Sequence, residues 1–118
     1  MDRFTKTKRG FLDSKTGLIW KSKDELGKFT YSEAMQFNGD VWRLPNIEEL
    51  VTIIDYRLHN PSTLLPHIKA SGYWSASPYS NYLDGAQFVY FGNGYSGYYY
   101  GGDYLYIRLV HSEGEEEE

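Results

Sequence analysis

Residues 104–110, YLYIRLV, alternate with period two. Leu105, Ile107 and Leu109 fall on one side, and Tyr104, Tyr106 and Arg108 on the other. That spacing predicts a strand, because successive side chains of extended backbone point to opposite faces. Upstream, GYWSAS, GAQFVYF and GYSGYYY read as further short strands, separated by loops rich in Gly, Asn, Ser and Asp. Near the start, FLD and GLIW flank the turn SKTG and predict a hairpin. Between these regions the period lengthens. Thr30 followed by Glu33 is a capping-box pattern, and Tyr31, Ala34, Met35 and Asn38 share one helical face before Gly39 stops the helix. Asn46 and Glu49 repeat the pattern, with Ile47, Leu50, Val51 and Ile54 at helical spacing. Pro45 keeps Leu44 out of helical geometry, and HNPSTLLPHI reads as a Pro-broken loop. The order is a hairpin, two helices, then short antiparallel strands. This predicts an α+β domain with both helices packed on one side of a sheet.

A length of 118 residues fits one domain, placed at residues 1–112. There is no Cys, so disulfides, thiolate metal sites and a Cys nucleophile are excluded. The net charge of −4 comes from the ending EGEEEE, read as an acidic disordered tail over residues 113–118. Without its Glu residues the body has 12 basic and 11 acidic groups, and no broad field points to nucleic acid or membrane. No apolar run approaches the roughly 20 residues of a membrane helix. The start, MDRFTKTKRG, has no apolar stretch after it and is not read as a secretory signal. A cytoplasmic location is the default expectation.

Candidate chemistry is sparse. His59, His67 and His111 have no nucleophile beside them, and Asp55 with His59 reads as a surface contact at a helix end. Arg108 alternates with apolar residues and is read as a structural hydrogen-bonding group. No catalytic residue, metal site or cofactor is expected. What stands out is tyrosine, with 12 in the chain and most of them after residue 72.

TGLIW (residues 16–20), WRLPNIEEL (42–50), YWSAS (73–77), FGNG and the closing YIRLV occur in order along the chain. Together they resemble the Lcl-type C-terminal domains, a branch of the C-type-lectin fold superfamily that also includes the formylglycine-generating enzymes. The resemblance runs from about residue 13 to residue 110 and implies a C-type-lectin-like fold, with the two helices on short antiparallel sheets. Trp20, Trp42 and Trp74 are read as structural members of a shared core. The cysteine chemistry of the formylglycine-generating branch has no counterpart here. Calcium-dependent sugar binding needs clustered carboxylates, and between residues 72 and 111 only Asp84 and Asp103 are acidic.

The chain is most similar to the variable proteins of diversity-generating retroelements. In these, mutagenic reverse transcription at template adenines rewrites a C-terminal segment, here about residues 72–110. Ala86, Val89, Phe91, Asn93, Gly94, Arg108 and Val110 match the fixed frame of that segment. Between them stand Phe88, Tyr90, Gly92, Tyr95, Gly97, Tyr98, Tyr99, Tyr100, Gly102, Asp103, Tyr104 and Leu105. Each of these residue types is reachable from an Asn codon by changing only adenines. Ser96 and Gly101 depart from the family pattern, where an apolar residue and Lys are usual.

Tyr combines large contact area, few torsions and one adaptable hydroxyl, while Gly, Ser and Asn add room and hydrogen bonds; paratopes use the same palette. Tyr95, Tyr98, Tyr99, Tyr100 and Tyr104, with Tyr79, Asn81 and Tyr82 from the preceding loop, are therefore expected to form one contiguous ligand-binding platform with the other variable positions. The bland alternative is a Tyr ladder that only stabilises a sheet, with Tyr73, Tyr90 and Tyr106 its first candidates. Base stacking on such rings needs a basic groove, and after residue 72 the only cationic Lys or Arg is Arg108. The expectation is a non-enzymatic, monomeric binding protein for a protein or cell-surface ligand, diversified by a reverse transcriptase. The alternatives are a glycan-binding adhesin module and a purely structural domain.

Overall fold

A computed structural model describes residues 3–78, 85–100 and 102–111, with Tyr100 described by its backbone only. Tyr79, Asn81, Tyr82 and the acidic ending lie outside these residues. Seven strands and two helices are present among those described: β1 (Phe4–Lys6), β2 (Gly10–Asp13), β3 (Ile19–Lys21), α1 (Tyr31–Met35), α2 (Ile47–Thr52), β4 (Gly72–Pro78), β5 (Gly85–Tyr90), β6 (Tyr95–Tyr100) and β7 (Val110–His111). They form two antiparallel sheets, ordered β1-β2-β3-β7 and β4-β5-β6. The protein is thus mixed α+β and mostly β. The hairpin around SKTG is present, and β1 is an additional strand with no clear sequence period.

Asp13 shapes that hairpin. It is fully buried, and its carboxylate accepts from Arg3 Nε and Nη2 at 2.7 and 2.8 Å, from Thr16 Oγ1 at 2.9 Å and from the Lys15 amide at 2.9 Å. Gly17 closes the turn at φ 82°, a left-handed conformation that suits glycine.

Both helices begin as their caps dictate. Thr30 Oγ1 accepts from the Glu33 amide and the Glu33 carboxylate accepts from the Thr30 amide; Asn46 and Glu49 do the same. Glu49 is further held by a two-pronged ion pair to Arg43, at 2.8 and 2.9 Å. Both helices are short. The first ends at Met35, before Gly39, and Ile54 lies beyond the end of the second.

The helices do not share one side of a sheet. Strand register places Trp74, Ala86 and Phe88 on one face of the β4-β5-β6 sheet and Tyr73 and Val89 on the other. Ala34 of α1 packs with Trp74, Phe88, Leu105, Ile107 and Leu109. Leu50 of α2 packs with Tyr73, Val89, Phe91, Trp20 and Ile53. Because this sheet is apolar on both faces, each face needs a cover, and one helix serves each. Trp20 and Trp74 therefore anchor two adjoining cores rather than one. Trp42 sits only half-buried at the margin, edge-on to the His111 ring at 5.1 Å. Each fully buried aliphatic side chain stabilises the fold by about 1.5–3 kcal/mol relative to exposure.

Residues 105–109 do not form the regular strand that their alternation predicts. They stitch the two sheets together. Leu105 bridges to Phe29 and Tyr106 to Tyr73, the Lys21 amide donates to the Leu109 carbonyl, and the Glu25 amide donates to that of Ile107. The alternation itself survives: Leu105, Ile107 and Leu109 enter one core, while Tyr106 borders the other.

Candidate ligand-binding surface

The tyrosines lie on β6 and the segment after it. β6 pairs with β5 in unbroken register, Tyr90 opposite Tyr95, Phe88 opposite Gly97 and Ala86 opposite Tyr99. The turn between the strands is fixed by Gly94 at φ 86° and by Asn93 Oδ1 accepting from the Tyr95 amide at 3.0 Å. Ile54 and Tyr56 crowd Gly94, and a Cβ there would meet them at 2.8 and 2.9 Å.

Period two divides the stripe. Tyr95, Gly97 and Tyr99 share the face of Phe88, and Tyr98 belongs to the opposite face. The Phe88 ring stacks on Tyr99 at 4.7 Å and meets Tyr95 edge-on at 6.0 Å. The single contiguous platform expected from the sequence is thus two patches, one on each side of a sheet edge. Both patches reach solvent: Tyr95, Tyr98, Tyr99 and Tyr104 are 60, 50, 44 and 59% exposed. Tyr104 lines a shallow groove of about 450 Å³ with Phe29, Glu33, Gln36, Phe37 and Lys28. No charged side chain occurs on β6.

Three expected ligand contacts are instead buried. Phe88 and Leu105 belong to the core beside Trp74 and Ala34. Gly92 is covered by the Tyr90 ring, which a Cβ would meet at 2.5 Å. Their positions in a strand and at the sheet junction give them the inward direction, whatever their codon permits. Gly102 and Asp103 are exposed. Gly97 carries the Tyr95 ring across it, with the hydroxyl 2.8 Å from where a Cβ would stand. Tyr90 is partly exposed.

Tyr73 serves the fold, and the half-buried Tyr106 packs beside it with ring centroids 5.7 Å apart. The Tyr73 hydroxyl donates to Asp24 Oδ2 at 2.7 Å and accepts from the Lys69 amide at 2.8 Å, and burial, with Asp24 beside it, pushes the phenol well above its ordinary range. Arg108, fully enclosed, donates to Asp24 Oδ1 at 3.0 Å and to the carbonyls of Lys21 and Pro66 at 3.0 and 3.2 Å. Burial lowers its pKa, and Asp24 opposes that shift. Asp24, unremarkable in the sequence, is therefore the hub that ties residues 21–25 to the last segment. Asp55 pairs with Arg57 rather than His59. Among the described residues no cluster of His, Asp and Glu could hold a metal ion, and no helix is long and apolar enough to cross a membrane.

No curated protein matches the chain. The model of the Lcl C-terminal domain matches residues 10–111, which hold both helices and every described strand but β1, and the chain belongs to that family.

Proposed function

We propose that this is a non-enzymatic ligand-binding protein with a C-type-lectin-like fold, whose β6 tyrosines contact the ligand in a segment diversified by reverse transcription. The pairing of β3 with β7, which brings the two ends of the domain into one sheet beside a separate three-stranded sheet, supports the fold. The observation that carries the functional reading is a segregation by burial that holds for most of the frame and variable positions, Phe88, Gly92 and Leu105 being the buried exceptions and Asn93 the exposed one. The frame residues Ala86, Val89, Phe91, Arg108 and Val110 are enclosed, whereas Tyr95, Tyr98, Tyr99, Asp103 and Tyr104 face solvent. In the second group Tyr99, stacked on Phe88 and opposite Ala86, and Tyr95, edge-on to Phe88, touch a core ring, so the rest of that group can be rewritten with less effect on the packing of the first. A paratope of this composition binds through a few rings that each cost on the order of 2 kcal/mol or more when truncated.

The same patch fits a second ligand class. Tyr95 and Tyr99 flank Gly97 on one face, over Phe88, and such a shelf accepts the apolar face of a sugar ring.

The locus tests the first reading. A neighbouring reverse-transcriptase gene with a near-copy of codons 72–110, differing at adenines, is the expected finding. Sequences from several isolates that vary at Val89 or Phe91 as often as at Tyr95 or Tyr98 would remove it. A glycan array bound by the protein and not by Tyr95→Ala would favour the second reading.

A further inference from the structure

A basin of about 460 Å³ opens between the loop Lys23, Asp24, Glu25, Leu26 and Gly27 and the side chains of His67, Lys69 and Tyr106. Its size falls within the range of small-ligand sites, and no β6 tyrosine lines it. Tyr106, Lys23 and Lys69 line it, and Lys28 stands just outside that lining, beside the Tyr106 ring. The Lys28 and Lys69 ammonium groups lie 5.3 and 4.9 Å from the centroid of the Tyr106 ring. Lys23 is exposed and has no hydrogen-bond or ion-pair partner among the described residues. The two carboxylates present are already engaged: Asp24 by Arg108, Lys69 and the Tyr73 hydroxyl, Glu25 by Lys21. Lys21 and Arg108 offset these two carboxylates, so the charges of Lys23, of Lys28 beside the basin and of Lys69, which also bridges to Asp24, are in excess around it.

We infer that this basin binds a phosphate monoester through Lys23, Lys28 and Lys69, with Tyr106 beneath the organic group. The choice of phosphate over carboxylate rests on the donors. A carboxylate is matched best by the planar fork of Arg, whereas Lys acts as a point charge suited to phosphate. The one Arg nearby, Arg108, is enclosed and its Nε and Nη1 are bonded to Asp24, Lys21 and Pro66. The choice over a sulfate ester rests on charge: a phosphate monoester is close to a dianion at neutral pH, with a second pKa near ~6, and three ammonium groups favour it over a monoanion. The ester's source is either a soluble metabolite or a lipid headgroup. Leu26 bears on this, because it stands 96% exposed on the rim, where it would enter a bilayer interface.

Titration of the full chain with phenyl phosphate and with phenyl sulfate, followed by calorimetry at low salt, tests the site. Saturable binding of the phosphate is expected, weaker for the sulfate. Lys23→Glu and Lys28→Glu should each weaken it by roughly tenfold or more, and Lys23→Glu should do so with unchanged thermal unfolding, since that side chain is exposed and makes no hydrogen bond or ion pair among the described residues. A parallel arm uses phosphatidic acid vesicles against phosphatidylcholine vesicles. Vesicle binding lost in Leu26→Ser, with phenyl phosphate binding retained, assigns the ester to a lipid; equal behaviour of Leu26→Ser in both arms assigns it to a soluble ligand. The inference is overturned if neither phenyl phosphate nor phosphatidic acid binds at millimolar concentration. It is equally overturned if phenyl sulfate binds as tightly, or if both charge reversals leave binding unchanged.

Discussion

Phe88 and Tyr99 stack across neighbouring strands, with ring centroids 4.7 Å apart and planes 15° from parallel. The pair joins a core residue to a surface residue, so Tyr99 belongs partly to the fold. Tyr104, with no such ring partner among the described residues, is more exposed. Stacked aromatic pairs contribute about 0.5–1.5 kcal/mol beyond their buried area. Tyr99→Ala should therefore lower the unfolding free energy by about 1–2 kcal/mol, and Tyr104→Ala by no more than ~0.5 kcal/mol. Urea denaturation of the two variants checks the contrast. Equal losses would show that the tyrosines do not differ in structural weight.

The two turn and strand glycines should respond oppositely. Gly94 combines a left-handed backbone with close contacts from Ile54 and Tyr56. Gly94→Ala is expected to cost more than ~1 kcal/mol. At Gly97 the obstacle is the far end of the Tyr95 side chain, which can swing aside. Gly97→Ala should fold with nearly native stability while displacing the Tyr95 ring, visible as altered ligand affinity and a changed aromatic NMR shift.

Asp24 and Arg108 form an ion pair across most of the sequence, with Asp24 also bonded to Tyr73 and Lys69. Removing one member strands a charge that is enclosed by protein. Asp24→Ala should destabilise by about 3–5 kcal/mol, measured as a large fall in the denaturation midpoint. Asp24→Ala combined with Arg108→Met should recover part of that loss, because no uncompensated charge then remains.

Acid should weaken the fold through two carboxylates. Burial alone would raise the Asp13 carboxyl, but Arg3, the Lys15 amide and Thr16 outweigh it and hold the group below its ordinary range. Glu49 is treated alike, its burial overcome by Arg43 and the Asn46 amide. A depressed folded-state value means stability that is present above the unfolded pKa of about 4 and is lost as pH falls through the folded value. Asp13→Asn should be less stable than the parent at pH 7, and the gap should narrow at pH 3. Urea midpoints at both values decide it.

Much of this was legible in the residues. Thr30 with Glu33 and Asn46 with Glu49 located both helix starts, because capping is local chemistry. The helix ends were less visible: α1 stops at Met35 although the pattern runs to Gly39. Adjacent apolar residues Tyr73 and Trp74 already signal a sheet covered on both faces, and with it helices on opposite sides. Strict alternation at residues 104–110 gave the right directions for the side chains and the wrong element, since it says which way a residue points and nothing about who pairs with it. Codon reachability marked Phe88 and Leu105 as surface positions, but direction along a strand follows register, which only the fold sets. Asp24 had no signal at all, its partners being far away in sequence.

Among the described residues β6 is the outermost strand of its sheet, bonded to β5 alone. A side chain there has a paired strand on one flank and, among the described residues, none on the other. Exchanging it meets cross-strand neighbours on one side only, whereas an exchange in β5 meets them on both, so novelty is accommodated more readily on this margin than beside Trp74, Val89 and Phe91. Tolerance of change is in this way a property of where the strand sits, before any residue on it is chosen.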